Sequence, residues 1–92
     1  MIFEWDEEKD HQNKLKHGLG FELAKLVFAD PLALILPDTG GHHEERWRIV
    51  GSISGVVIAL VVYTVHQSNN EIVRIISARR ATRHEREDYE EG

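Results

Sequence analysis

Apolar and polar positions change rhythm twice along this chain. From residue 6 to 17 nearly every position is polar, with acids first (Asp6, Glu7, Glu8, Asp10), bases last (Lys14, Lys16, His17) and Gly18 just beyond. Charges ordered this way oppose the partial charges at the two ends of a helix, so the stretch predicts a helix capped by Asp6. Its apolar face is thin, and it is expected to lie largely exposed, anchored by Leu15 and the flanking Phe3 and Trp5. From 21 to 29 the spacing is helical in apolar residues too, with Phe21, Ala24 and Phe28 on one stripe and Leu23, Leu26 and Val27 widening it. Asp30-Pro31 ends that helix, because a proline pushes the residue before it out of the helical region.

Beyond Pro31 the rhythm is that of strands. Residues 32–36, between two prolines, read as an edge strand, and 37–43 as a loop. The segments 45–53, 56–66 and 71–77 are rich in Ile, Val, Trp and Tyr and are separated by Ser54-Gly55 and by Gln67 to Asn70, the pattern of an antiparallel meander. Residues 80–90 are polar, with glutamates and arginines three and four apart, which favours a helix. The expected fold is α+β in the order ααββββα, a four-stranded antiparallel sheet packed with an N-terminal helix pair and a C-terminal helix. A two-residue turn at Ser54-Gly55 sets Arg46 opposite Tyr63 and Arg48 opposite Val61. A four-residue loop after His66 sets His66 opposite Glu71 and Tyr63 opposite Arg74. Arg46, Tyr63 and Arg74 then form a row across one face with Arg48 nearby, while Trp47, Ile49, Leu60, Val62, Val73 and Ile75 face the core. A slip of one residue would undo that row.

Composition bounds what such a fold can do. Ninety-two residues suit a single domain over 1–92 with a small core, to which a partner could add stability. The absence of cysteine excludes disulfides, thiolate zinc sites and a cysteine nucleophile. The acidic start lacks the marks of an export signal, and the longest apolar run, 56–65, is about half of the ~20 residues needed to span a bilayer; a cytoplasmic, membrane-free protein is expected. A net charge of -5 argues against nucleic acid on a whole-chain count, yet five of the eleven basic residues, Arg74, Arg79, Arg80, Arg83 and Arg86, cluster in the last quarter. Arginine forks can stabilise the charge that builds on a phosphate, and a histidine or tyrosine can exchange protons with a ribose hydroxyl. RNA carries its own nucleophile, so neither metal nor cofactor is required. The competing reading pairs these arginines with nearby acids such as Glu71, Glu85, Glu87 and Asp88. His42-His43-Glu44-Glu45 offers metal-type ligands without a spacing that converges them. Lys14, Lys16 and His17 suit either the helix dipole or an anion, and Trp5 and Trp47 suit the core better than base stacking.

Read together, Phe3-Glu4-Trp5-Asp6 with Lys9 and Asn13, Lys16-His17-Gly18, Phe21-Glu22 with Ala24, Val27-Phe28 with Asp30, Glu45-Arg46 with Gly51, Val62-Tyr63-Thr64, and Arg74-Ile75-Ile76-Ser77-Ala78-Arg79 with Ala81, Glu85-Arg86 and Tyr89 resemble the BrnT-type toxins over nearly the whole chain. The resemblance implies a RelE-like ribonuclease fold and the toxin half of a type II toxin-antitoxin pair. It further implies RNA cleavage that inhibits translation, neutralisation by a BrnA-like ribbon-helix-helix antitoxin, and DNA contact only through that complex. Homodimerisation and a heterotetramer with the antitoxin both stay open. Arg46, Arg74, Arg79 and His66 are then the expected catalytic residues, with Lys16, His17, Tyr63 and Arg80 as substrate contacts. The chain departs from the family at His66, where a Tyr-Thr-x-Arg pattern usually places an arginine. Histidine can move a proton there but cannot supply a permanent bidentate charge, which admits a second reading: a catalytically impaired homologue that binds antitoxin in operon autoregulation.

Overall fold

Three residues at the start of the chain, Ile2, Phe3 and Glu4, complete a sheet that the sequence pattern leaves one strand short. The computed structural model describes residues 1–40, 45–66, 68–69 and 71–92. Its elements are β1 (Ile2–Glu4), α1 (Glu7–His17), α2 (Phe21–Ala24) running into a 3-10 helix (Lys25–Ala29), β2 (Leu34–Asp38), β3 (Arg46–Ile53), β4 (Val57–Val65), β5 (Ile72–Arg80) and α3 (Arg83–Glu91). The sheet has five strands in the order β1-β5-β4-β3-β2, and β1 lies parallel to β5. The expected four-stranded antiparallel sheet is thus a mixed five-stranded one, and the element order is βααββββα. A strand of three residues shows no period, which is why the pattern hides it. β5 also continues through Arg80, three residues past its expected end, and α3 starts later than the charge pattern suggests. Its start is fixed by a capping box, in which Thr82 accepts from the Glu85 backbone and Glu85 accepts from the Thr82 backbone.

The inner face of the sheet carries the core. Phe21, Ala24 and Val27 are fully buried against Ile49, Val61, Tyr63, Val73, Ile75 and Ala78. The expected stripe through Phe28 is displaced because the chain tightens into a 3-10 helix, whose three-residue turn aligns positions 21, 24 and 27. Leu23 and Leu26 are exposed, and Phe28 instead packs its ring on Phe3 and Tyr63 at 5.1 and 4.9 Å. The 3-10 helix comes so close to β3 that a Cβ at Gly51 would stand 3.2 Å from the Val27 carbonyl and from the Ala33 side chain.

Helix α1 docks by polar groups. Leu15, its expected anchor, is 76% exposed. The buried pair Asp10 and Asn13 does the work: Asp10 accepts from the Phe21 backbone, and Asn13 donates to the Leu19 and Ala78 carbonyls at 2.7 Å each while accepting from the Ala78 amide. β1 pairs only with residues 72–74 of β5, so farther along that edge the Asn13 side chain stands in for a missing strand.

Two single-residue irregularities set the register. Ser54 and Gly55 both have positive φ, and Val56 donates back to the Ile53 carbonyl, which is the expected two-residue turn. Pairing nevertheless resumes only at Ile53 with Val57, leaving Val56 as an extra, 83% exposed residue. Trp47, not Arg46, is therefore opposite Tyr63, and Arg48 is opposite Val62. The connection after His66 is one residue longer than expected, the His66 amide bonding to Ile72 instead of facing Glu71, and this brings Thr64, not Tyr63, opposite Arg74; a second irregularity at Ile76 then shifts the ladder once more, so that Val62 meets Ser77. Tyr63 consequently belongs to the inner face with Trp47, while Leu60 and Val62 belong to the outer one.

Candidate functional site

The outer face is built in rows. Leu34, Val50, Leu60 and Arg79 form one, Leu36, Arg48, Val62 and Ser77 the next, and beyond the Trp47–Tyr63 pair a third is made by Asp38 with Arg46 and by Thr64 with Arg74 and Glu4. Helix α3 lies over the first, where Glu85 and Asp88 border a groove floored by Leu34, Val50 and Leu60. The third row, two rows from it, brings together much of the candidate chemistry: Arg46 and Arg74 flank Thr64, and His66 follows on the same face.

Within that row Glu4 joins two of the candidates. One carboxylate oxygen accepts from Arg74 Nη1 at 2.9 Å, and the other lies 3.3 Å from His66 Nε2. The Arg74 donor, and after it His66, holds the Glu4 carboxyl below its ordinary value. Glu4 is absent from the sequence-based set of site residues; the signal for it was an acid on a strand too short to recognise. Across the row Asp38 pairs with Arg46 in the ladder and lies 3.8 Å from Arg48 Nε.

The other candidates lie elsewhere. Arg79 is about 16 Å along β5 from Arg74, counting ~3.3 Å per residue, and its guanidinium is engaged by both oxygens of Glu85 at 2.8 and 2.9 Å. That fork draws Glu85 down to about 2, against the opposing effect of burial. Arg80 is exposed on the inner side, paired with Ala59, and Lys16 and His17 are exposed in the last turn of α1. Tyr63 is 6% exposed, and burial pushes its hydroxyl up, so it stays protonated. Trp5 and Trp47 pack against the core. Of the His42-His43-Glu44-Glu45 motif, residues 42–44 lie outside the described residues; among the described ones no three His, Asp or Glu side chains are grouped to hold a metal.

At the far corner of the sheet Asp30 ties three elements together. It accepts from the Leu32 and Ser52 amides and from the Tyr89 hydroxyl, joining the end of the 3-10 helix to β3 and α3. The Tyr89 bond first, and the two amides with it, hold its carboxyl below the ordinary range.

The sequence model of the family described as "Ribonuclease toxin, BrnT, of type II toxin-antitoxin system" matches residues 5–85. The chain belongs to the BrnT family. It is similar to the Brucella abortus ribonuclease toxin BrnT, whose crystal structure at 1.1 Å superposes with a TM-score of 0.69 at 26% identity, covering 90% of this chain and 100% of that one. No curated protein matches significantly. The BrnT match takes in Arg46, His66, Arg74, Arg79 and Glu85, begins one residue after Glu4, and ends inside α3. Membership of a type II system implies a protein antitoxin as partner. Among the described residues no helix is long and apolar enough to cross a membrane.

Proposed function

We propose that this BrnT chain is a metal-independent endoribonuclease acting at the Arg46–Thr64–Arg74 row. His66 takes the proton from a ribose 2'-hydroxyl, the freed oxygen attacks the adjacent phosphorus, and the 5'-oxygen of the next nucleotide leaves with a proton taken from water, giving a 2',3'-cyclic phosphate and a 5'-hydroxyl. Arg46 and Arg74 offset the charge that gathers on the phosphate oxygens. The observation that supports this reading best is the juxtaposition of two arginines and a histidine on one half-exposed stretch of sheet. In the cytoplasm such cleavage would inhibit translation, and a BrnA-like ribbon-helix-helix antitoxin would neutralise it and supply the operator contact. Lys16, His17 and Arg80, exposed elsewhere, would meet only a longer RNA. Purified protein incubated with single-stranded RNA in excess EDTA should yield cyclic-phosphate ends, and Arg74→Ala should yield them about a hundredfold more slowly; cleavage at an equal rate by both would sink the assignment of the site.

A second reading has its own support. With histidine at 66 and the Arg79 fork taken up by Glu85, the outer face offers less fixed positive charge than its arginine count suggests. A catalytically impaired homologue that serves as an antitoxin-binding module fits those two features. It predicts antitoxin binding without RNA cleavage or growth arrest.

A further inference from the structure

Glu4 is an unexpected neighbour for a phosphate site, since a carboxylate repels the substrate. Its contacts suggest what offsets that repulsion. A carboxylate only accepts hydrogen bonds, and a neutral imidazole has one nitrogen that donates and one that accepts. Nε2 is the His66 nitrogen nearer the carboxylate, 3.3 Å from a Glu4 oxygen, and a carboxylate so placed favours the tautomer with the proton on Nε2 and the lone pair on Nδ1. The carboxylate is itself oriented by a different strand: the parallel register sets Glu4 beside Arg74, whose Nη1 takes the other oxygen at 2.9 Å. His66 is the first residue after β4 and is anchored by its backbone amide to Ile72, so its ring is the part left to orient. The contact with Arg74 is through one nitrogen, unlike the two-pronged Arg79–Glu85 pair.

We propose that Glu4 is a positioning residue: its carboxylate, clamped by Arg74, holds His66 by Nε2 and so presents Nδ1 as the nitrogen that takes the 2'-hydroxyl proton. This rests on the ribonuclease reading above. An arginine at position 66 has no tautomer to set, so this duty of Glu4 belongs to the histidine form of the site.

The test uses the full chain as wild type, Glu4→Gln, His66→Ala and the double variant, each shown folded by its thermal melt. Cleavage of single-stranded RNA in EDTA gives kcat and KM, and nitrogen-15 spectra of labelled histidine, taken without RNA at alkaline pH, give the His66 tautomer. Glu4→Gln should lower kcat about tenfold while KM stays level or falls, because a repelling charge has gone. In the His66→Ala background the same change should cost nothing further, since the two residues act as one unit. The spectra should show Nε2-protonated His66 in wild type and a tautomer mixture in Glu4→Gln. An undiminished kcat, a full loss that persists without His66, or an unchanged spectrum overturns the proposal. A wild-type chain that cleaves nothing overturns the ribonuclease reading itself, whereas wild type and Glu4→Gln cleaving alike overturns only the role of Glu4.

Discussion

Two arginines five residues apart on one strand illustrate how little residue type says about role. Arg74 touches Glu4 through one nitrogen, while both prongs of Arg79 close on a carboxylate that also caps α3. Arg79→Ala should therefore act first on stability. A half-buried bidentate pair contributes on the order of 1 kcal/mol, which for a domain this size is roughly 4–8 °C in Tm. Arg74→Ala should leave Tm within about 2 °C, since exposed pairs contribute little, and should lower cleavage by about a hundredfold, the typical loss of one donor to a charged transition state. Thermal melts beside RNA cleavage assays separate the two; Arg79→Ala that melts like wild type and abolishes cleavage would return Arg79 to the catalytic row. Residue identity made all these arginines equal candidates in the sequence. Their partners distinguish them, and those are fixed by contacts such as Glu4 with Arg74, 70 residues apart.

At the scale of elements, docking by polar groups makes α1 sensitive where its apolar residues are not. Asn13→Ala strips both the amide and the carbonyl of Ala78 of a partner at a buried edge, and should cost about 2–3 kcal/mol by urea titration, whereas Leu15→Ala, 76% exposed, should stay within about 0.5 kcal/mol. Equal losses would mean that Leu15 anchors the helix after all. Helix α3 is held by two carboxylates, Glu85 on Arg79 and Asp30 on Tyr89, and both titrate below their ordinary values. A depressed carboxyl lends stability above its unfolded value and loses it as pH falls toward its folded one. For Glu85 that window runs from the ordinary 4.5 down to about 2. Hydrogen exchange of α3 should therefore accelerate relative to β4 between those pH values, and Arg79→Ala should flatten the Glu85 part of that change. An α3 protected equally at both ends would show that the two pairs do not hold it. The elements themselves were largely legible, because caps, Gly18, Pro31 and the Ser54-Gly55 turn are local signals. The rows were not. Val56 and Ile76 are ordinary β-formers that each shift a ladder by one position, and no local property marks them as extra.

For the whole molecule the same distinction applies to charge. Sixteen acids against eleven bases give a net -5, which from the sequence argues against an RNA substrate. In three dimensions several of those acids are already answered by bases: Glu4 by Arg74, Asp10 by Lys14, Glu22 by Lys25, Glu85 by Arg79 and Glu87 by Arg83. The β1 strand that carries Glu4 joins the sheet by parallel pairing over a long stretch of chain, so neither the five-stranded order nor the Glu4–Arg74 pair could be read along the sequence, whereas the pairs of Glu85 and Glu87 with arginines follow the local spacing. The substrate would meet the local field of the row, since charges beyond about 8–10 Å are screened at physiological salt. If binding involves Arg46, Arg48 and Arg74, about three phosphate charges are neutralised, and with a slope of roughly 0.7 per contact for single strands the logarithm of KM should rise with the logarithm of salt with a slope of about 2. Arg74→Lys, which retains the charge but not the fork, should keep that slope while lowering kcat, and Arg74→Ala should reduce it by about 0.7. Cleavage kinetics in EDTA across a series of potassium chloride concentrations measure both. A KM that falls as salt rises would mean that repulsion by the net negative chain outweighs the row, and that RNA reaches this protein by another surface.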